Sequence, residues 1–322
     1  MAELLDWREG VLRATCDLAR SIRMIEIMAE GDFVAPSPGS HVNVSVTIGD
    51  RPDFRSYSLV GPCRDGVYRI AVKLLPESRG GSAYMWSLKP GARLKVTAPA
   101  NHFPLALGRS EYLLLAGGIG ITPIYAHALA LADAGSRFRL LYACRGKDNL
   151  ALADELKERL GDRLEVFLSG EGRRVDIAAE IARLDPEGEA YVCGPIRMLE
   201  EAKRQWAASG RAPERLRFET FGASGEYPAV PFTIRLPRLG REIAVPANRT
   251  MLEALEDAGV EMIFDCRRGE CGLCALPILA VDGIVDHRDV FFSDAEKNAN
   301  AKLCTCVSRV YGSAITVDTA DR

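Results

Sequence analysis

Histidine is scarce, with four residues in 322, and their positions (41, 102, 127 and 287) give no metal-ligand spacing. A histidine-built metal centre is therefore not expected. No apolar run is long enough to span a membrane as a helix. Charge of one sign is not in excess: 41 Lys and Arg stand against 44 Asp and Glu, net −3. That balance lacks the basic footprint of a nucleic-acid binder. The opening MAELLDWREGVLRATCDLA carries acidic residues early and no apolar core, so no secretory leader is expected. Internal repeats and low-complexity tracts are absent too.

Cysteine, by contrast, is plentiful. There are nine, an odd number, and five of them crowd between positions 266 and 306. With no leader expected, this pattern favours a reducing cytoplasm and a metal site over a disulfide framework. The chain is long enough for two or three domains, and its 48% hydrophobic and 26% charged residues suit a soluble globular protein.

Three regions follow one another. Residues 1–107 read as short β segments (HVNVSVTI, SYSLV, VYRIAVKLL) separated by Gly, Pro and Asp, with one short helical stretch near SAYMWSL. A small antiparallel β-barrel is expected. Residues 108–222 alternate apolar runs (YLLLA, FRLLYA, EVFLS, AYVCG) with helical stretches such as IYAHALALADAG and IRMLEEAKRQWAASG. That alternation predicts an α/β domain with a parallel sheet. ASGEYPAV, at 223–230, has the composition of a linker. In 231–322, FTIRLPRLGREIAVP predicts a β-hairpin, and Thr250 and Glu253 form a capping box for a helix ending at Gly259.

The cysteine cluster follows directly. Cys266, Cys271 and Cys274 have the spacing C-x4-C-x2-C. This is the plant-type pattern for a 2Fe–2S cluster, which needs one more, distant thiolate. Gly269 and Gly272 let the loop fold tightly. Cys304 and Cys306 both qualify as the fourth ligand and, two apart on a strand, would face the same side. A structural zinc site uses the same donors, but zinc motifs generally pair one short C-x2-C with another.

A cluster moves one electron at a time, so the chain must supply a source. YLLLAGGIGITP places Gly117, Gly118 and Gly120 after a predicted strand, with Ile121, Thr122 and Pro123 opening a helix. Such a turn lets backbone approach a pyrophosphate at a helix N-terminus, although Pro123 stands where G-x-G-x-x-G has its third Gly. A second turn, Cys193-Gly194-Pro195, follows another predicted strand. Two such turns at the ends of parallel strands define a ligand crevice. After EVFLS comes GEGRR, where Glu171 suits a ribose hydroxyl and Arg173 and Arg174 suit a 2′-phosphate.

A nicotinamide gives up two electrons as hydride, so a flavin is expected between it and the cluster. Arg55, Ser56, Tyr57 and Ser58 offer a cation, a ring and two hydroxyls on one strand. Arg79, Gly80, Gly81 and Ser82 form a phosphate cradle before a helix. Arg79 beside the glycines suits the terminal monophosphate of FMN.

Together RSYSL, IAVK, SRGGS, AGGIGITP, CGP, FETFG and DCRRGECGLC…DHRD…CVSR resemble the phthalate dioxygenase reductase family over nearly the whole chain. Vanillate demethylase and carnitine monooxygenase reductases are similar. The resemblance implies an FMN barrel, an NADH domain of ferredoxin–NADP reductase type and a C-terminal β-grasp ferredoxin domain. It implies flavin roles for Arg55, Tyr57, Ser58, Arg79, Gly80, Gly81 and Ser82, and places Phe221 near the isoalloxazine. It assigns Gly118, Gly120, Ile121, Thr122, Pro123, Cys193, Gly194 and Pro195 to the dinucleotide, and it favours NADH. The CVSR context points to Cys306 as fourth ligand. The segment between Cys274 and DHRD is longer than the family leads one to expect. The implied activity is a reductase component passing electrons from NADH to a separate Rieske-type oxygenase. A redox sensor or carrier module without NADH turnover is the alternative.

Overall fold

The computed structural model describes residues 6–49, 51–63, 65–75, 80–221, 225 and 227–319. The chain divides into two compact units, Leu4–Glu219 and a second that takes in Thr220–Arg322.

The first unit begins with strands β1 (Trp7–Ala19), β2 (Ile22–Ala29), β3 (Ser40–Ile48), β4 (Arg51–Ser58) and β5 (Val67–Lys73). Helix α1 (Gly81–Ser87) and strands β6 (Arg93–Thr97) and β7 (Ala100–Asn101) follow. The strands form one antiparallel sheet in the order β4-β3-β6-β1-β2-β5, with β7 on β3. An antiparallel bridge from Leu59 to Ile70 joins the two ends of that order. Alternation explains the inside of the barrel. In HVNVSVTI, Val42, Val44 and Val46 are buried, and the residues between them face outward. Each such valine contributes about 1.5–3 kcal/mol.

The same unit continues as an α/β layer. Its elements are β8 (Tyr112–Gly117), α2 (Ile121–Asp133), β9 (Phe138–Cys144), α3 (Ala153–Leu160), β10 (Leu164–Leu168), α4 (Ile177–Arg183), β11 (Glu189–Cys193), α5 (Ile196–Ala208) and β12 (Leu216–Glu219). All pairings are parallel, in the order β10-β9-β8-β11-β12. The run YLLLAG is buried along its whole length, as a central strand covered on both faces must be. On α5, Ile196, Leu199, Ala202 and Trp206 are buried, the spacing of one helical face.

The second unit contains β13 (Phe232–Leu236), β14 (Arg241–Val245), α6 (Met251–Asp257), β15 (Ala275–Asp286), α7 (Asp294–Ala299), β16 (Lys302–Cys304) and β17 (Arg309–Val317). Their order is β14-β13-β17-β15-β16, with β13 and β17 parallel at the centre. The expected hairpin is β13–β14. The capping box forms: Glu253 N–H donates to Thr250 Oγ1 at 3.1 Å and Thr250 N–H to Glu253 Oε2 at 2.8 Å. Met251, Ala254 and Leu255 then press α6 onto the sheet core, while Leu252 packs against Cys274, Cys304 and Cys306.

The segment read as a linker, 223–230, falls inside this second unit. Where described, it is fastened down. A Cβ on Gly225 would lie 2.2 Å from Arg288 Nε and Asp286 Oδ2. Arg288 donates to the Tyr227 carbonyl at 3.0 Å, and Arg309 to the Val230 carbonyl at 3.0 Å.

Candidate functional site

Three sets of residues carry the chemistry, two in the first unit and one in the second. In the sheet order of the α/β layer, successive strands run outward from β8 to β10, then return to β11 on the other side of β8. The ends of β8 and β11 therefore flank a topological switch point, where such sheets bind ligands. Both glycine turns sit there. A 3₁₀ turn, Gly118–Gly120, leads into α2, and Cys193, Gly194 and Pro195 lead into α5.

The glycines divide the work in a way the motif does not reveal. A Cβ on Gly120 would lie 2.2 Å from the Cys193 carbonyl oxygen, and one on Gly117 2.5 Å from Pro195 Cδ. A Cβ on Gly194 would come within 3.0 Å of Gly117 Cα. These three glycines let the two turns pack against each other. Gly118 differs: its φ is +55° and nothing lies within 4 Å of its would-be Cβ. Of these four glycines, Gly118 alone leaves open space beside its backbone. Ile121, Thr122 and Pro123 are buried, and Thr122 Oγ1 donates to the Ile119 carbonyl at 3.0 Å, fixing the turn. Cys193 is fully buried.

Glu171 is exposed, in the 3₁₀ turn Ser169–Glu171 after β10. That turn is tied to the end of β9, where Gly170 N–H donates to the Arg145 carbonyl at 2.8 Å. Arg173 is engaged elsewhere: it pairs with Glu165 at 3.2 Å and lies over the Phe167 ring.

On the barrel, Arg55 and Tyr57 share one side of β4, and Ser56 and Ser58 the other. Ser56 donates to Asn43 Oδ1 at 2.6 Å, and Ser58 is buried. Tyr57 packs against the barrel core, and burial pushes its phenol well above the ordinary range. Arg55 pairs with Asp53 at 2.7 Å. A Cβ on Gly81 would lie 2.6 Å from Arg55 Nε, so the start of α1 rests directly on this guanidinium. Gly80 has φ +93° and packs on Ile48. Ser82 Oγ accepts the Leu75 N–H at 3.3 Å. Arg55 and Gly81, 26 positions apart, thus bring strand and loop together with a cation between them. This fits a phosphate. Arg79 lies outside the described residues.

In the second unit, the loop from Cys266 to Cys274 has left-handed φ at Arg267, Gly269 and Gly272. Its amides turn inward: the N–H groups of Arg268, Glu270 and Cys271 all donate to Cys266 Sγ at 3.4 Å. Cys306 hydrogen-bonds to both Cys266 and Cys274, whereas Cys304 hydrogen-bonds to Cys274. The Cys306 hydrogen bond, aided by the backbone donors, pulls the Cys266 thiol down to about 4. Cys304 and then Cys306 pull Cys274 down to about 3. The donating thiols of Cys304 and Cys306 are pushed up. Burial pushes the Cys271 thiol up as well, so the thiolate character rests on Cys266 and Cys274; a loop with amides aimed at sulfur fits iron–sulfur ligation.

One expectation changes here. Cys304 and Cys306 do not share a strand face, because β16 ends at Cys304 and Cys306 lies in the turn beyond it. Thr305 holds that turn, its hydroxyl donating to the Cys274 carbonyl at 2.9 Å.

The DHRD segment braces the cysteine loop. A Cβ on Gly269 would lie 2.6 Å from Val307 Cγ2 and 2.9 Å from Asp289 Cα, and Val290 N–H donates to the Gly269 carbonyl at 3.0 Å. Buried Asp289 accepts the Phe292 N–H at 2.9 Å and the Ser308 hydroxyl at 3.3 Å. His287 Nε2 lies 2.9 Å from Asn300 Oδ1, a hydrogen-bonding role in the loop. His127, given no role by its spacing, is a core residue: it is fully buried, with Nε2 donating to the Phe103 carbonyl at 3.0 Å. Burial pulls its pKa down to about 4. Phe221 is half-buried within the second unit.

Residues 234–311 match the model of a 2Fe-2S iron-sulfur cluster binding domain, and 114–204 that of an oxidoreductase NAD-binding domain. The heme-dependent oxidative N-demethylase beta subunit of Ectopseudomonas mendocina is 40% identical over 320 residues, covering 99% of this chain and 100% of that one. The carnitine monooxygenase reductase subunit of Escherichia coli is 35% identical over 286 residues, covering 87% and 88% respectively. The solved structure of phthalate dioxygenase reductase, described as modular for electron transfer from pyridine nucleotides to [2Fe-2S], superposes with a TM-score of 0.74. It is 30% identical, covering 97% of this chain and 98% of that one.

Proposed function

The chain belongs to the phthalate dioxygenase reductase family, and we propose that it is the reductase component of an oxygenase system, carrying electrons from NADH through FMN and a 2Fe–2S cluster to a separate terminal oxygenase. The observation that carries this reading is that one chain builds both a switch-point crevice from two glycine turns and a cysteine loop whose amides converge on the Cys266 sulfur. When bound, the two groups supply the conversion of a two-electron hydride donor into single-electron delivery.

The protein's part is binding and positioning. Arg55, Arg79, Gly80, Gly81 and Ser82 hold the FMN phosphate, where charge-assisted bonds from guanidinium are strong. Ser56, Tyr57, Ser58 and Phe221 border the flavin ring. Gly118 admits the dinucleotide backbone to the N-terminus of α2, with Gly120, Ile121, Thr122 and Pro123 shaping that turn. Cys193, Gly194 and Pro195 form the opposite wall, by the nicotinamide. Glu171 accepts from the adenosine ribose and, with Arg173 held by Glu165, disfavours a 2′-phosphate. Cys266, Cys271, Cys274 and Cys306 ligate the cluster, and Cys304 stands beside them. No disulfide forms among the described residues, and a reducing cytoplasm suits such a chain.

Within this reading the partner is an oxygenase of Rieske type. A heme-dependent partner is the second reading, favoured by the 40% identity to the N-demethylase beta subunit. Anaerobic mixing with NADH tests the core proposal: flavin and cluster absorbance should both bleach. A redox sensor would leave them unchanged, and a strong kcat/KM preference for NADPH would overturn the nucleotide assignment. Oxygen uptake with a purified Rieske or heme oxygenase then separates the two partners.

A further inference from the structure

The loop that carries the cysteines also holds a carboxylate that iron–sulfur ligation does not require. Glu270 stands between Cys266 and Cys271, and its backbone N–H already serves Cys266 Sγ. Any residue would supply that amide. Its side chain is turned away from water, only 19% exposed, and is held at both oxygens. Oε1 accepts the backbone N–H of Thr220 at 2.8 Å, and Oε2 lies 3.3 Å from Arg268 Nη2. Arg268 is itself buried, and its backbone N–H donates to the same sulfur. The carboxylate is thus locked to the loop on one side and to Thr220 on the other.

Thr220 is a telling anchor. It is buried, it is the first residue of the second unit's main segment, and it directly follows the last residue of β12. The next residue is Phe221, assigned above to the flavin ring. We propose that Glu270 is a positioning residue: it clasps the cluster loop to the peptide that opens the second unit, and so sets how fast electrons pass from flavin to cluster. This rests on the reading that electrons travel from FMN to the cluster. The physical ground is that a charge-assisted hydrogen bond to a buried amide is among the stronger single contacts available. Fixing donor and acceptor geometry is what a protein contributes to such a step.

The test is anaerobic stopped-flow of the full chain with NADH, following flavin and cluster bands separately, with iron content and cluster potential measured for each variant. Glu270→Ala should slow the flavin-to-cluster phase about tenfold or more, since losing such a bond depopulates the clasped state by roughly that factor. The hydride phase and the iron content should stay as in the parent. Glu270→Gln keeps an oxygen to accept the Thr220 N–H and should restore the rate to within about twofold. Thr220→Pro removes the donor from the other side and should slow the same phase, deciding the matter if Glu270→Ala loses its cluster. A cluster phase unchanged in both Glu270→Ala and Thr220→Pro would overturn the proposal. So would Glu270→Gln as slow as Glu270→Ala with a shifted potential, which would make the carboxylate's charge, not its clasp, the active feature. Failure of NADH to reduce the parent protein would instead overturn the function on which the proposal rests.

Discussion

Gly120→Ala tests how the crevice is built. The added methyl would start 2.2 Å from the Cys193 carbonyl oxygen and 2.9 Å from Gly194 N. Neither neighbour is the loose end of a side chain; both are backbone of the opposite turn. To reach an ordinary contact the turns must part by roughly 1 Å, an overpacking cost of about 1–3 kcal/mol. A displacement of that size at a hydride-transfer site lowers the rate by up to about 100-fold. The control is Gly118→Ala. Its methyl meets nothing within 4 Å, but its φ of +55° costs a non-glycine residue about 1–2 kcal/mol. It should leave the turns together and mainly raise KM for NADH, because the methyl stands where the dinucleotide approaches. The assay is NADH-driven flavin reduction in single turnover, over a range of NADH concentrations, with cluster absorbance as a folding control. A Gly120→Ala protein that reduces its flavin at the parent rate would refute the turn-against-turn reasoning.

Two further predictions concern the thiols and the buried imidazole. Cys306→Ser should abolish the cluster's visible absorbance and its iron, whereas Cys304→Ser should retain both and lose about 1–3 kcal/mol of stability from a hydroxyl in an apolar cluster with Leu252 and Phe292; cluster loss with Cys304→Ser alone would reverse the ligand assignment. His127 stays neutral in the folded chain down to about pH 4, while the unfolded chain takes up a proton below about 6.5. The unfolded state therefore binds more protons between those values, and stability falls as pH drops through that window, by about 3 kcal/mol at its lower end. Urea denaturation of the parent and His127→Phe at pH 7.5 and pH 5 measures this, and an equal acid loss in both would refute it.

Much of the architecture could be read from local pattern because local pattern causes it. YLLLAG is apolar throughout and forms the central strand β8, buried along its length. HVNVSVTI alternates and lines a barrel with its valines. Thr250 and Glu253 stand three apart, as a capping box requires, and make both bonds. The glycine turns were recognisable as turns, and C-x4-C-x2-C as a thiolate loop. What such patterns cannot convey is who meets whom. Gly120 looked like a ligand-facing glycine but packs on Cys193, 73 positions away. Cys304 and Cys306 looked like neighbours on one strand face, yet the strand stops between them. The fastening of Gly225, Tyr227 and Val230 by Arg288 and Arg309 gave no signal in a segment with the composition of a linker.

The sequence by itself determined the chemistry: which donors exist, how closely three thiols follow one another, and that glycine turns end strands of a parallel sheet. Those are properties of residue type and short spacing, fixed by ligand preference and backbone sterics. Tertiary structure alone decided the partners. Arg55 against Gly81, the Cys193 carbonyl against Gly120, Cys306 on both Cys266 and Cys274, and Glu270 on Thr220 each join residues 26 to 73 positions apart. Such contacts arise only when sheets and loops are brought together by burial, which acts on surfaces and leaves no periodic mark in the chain.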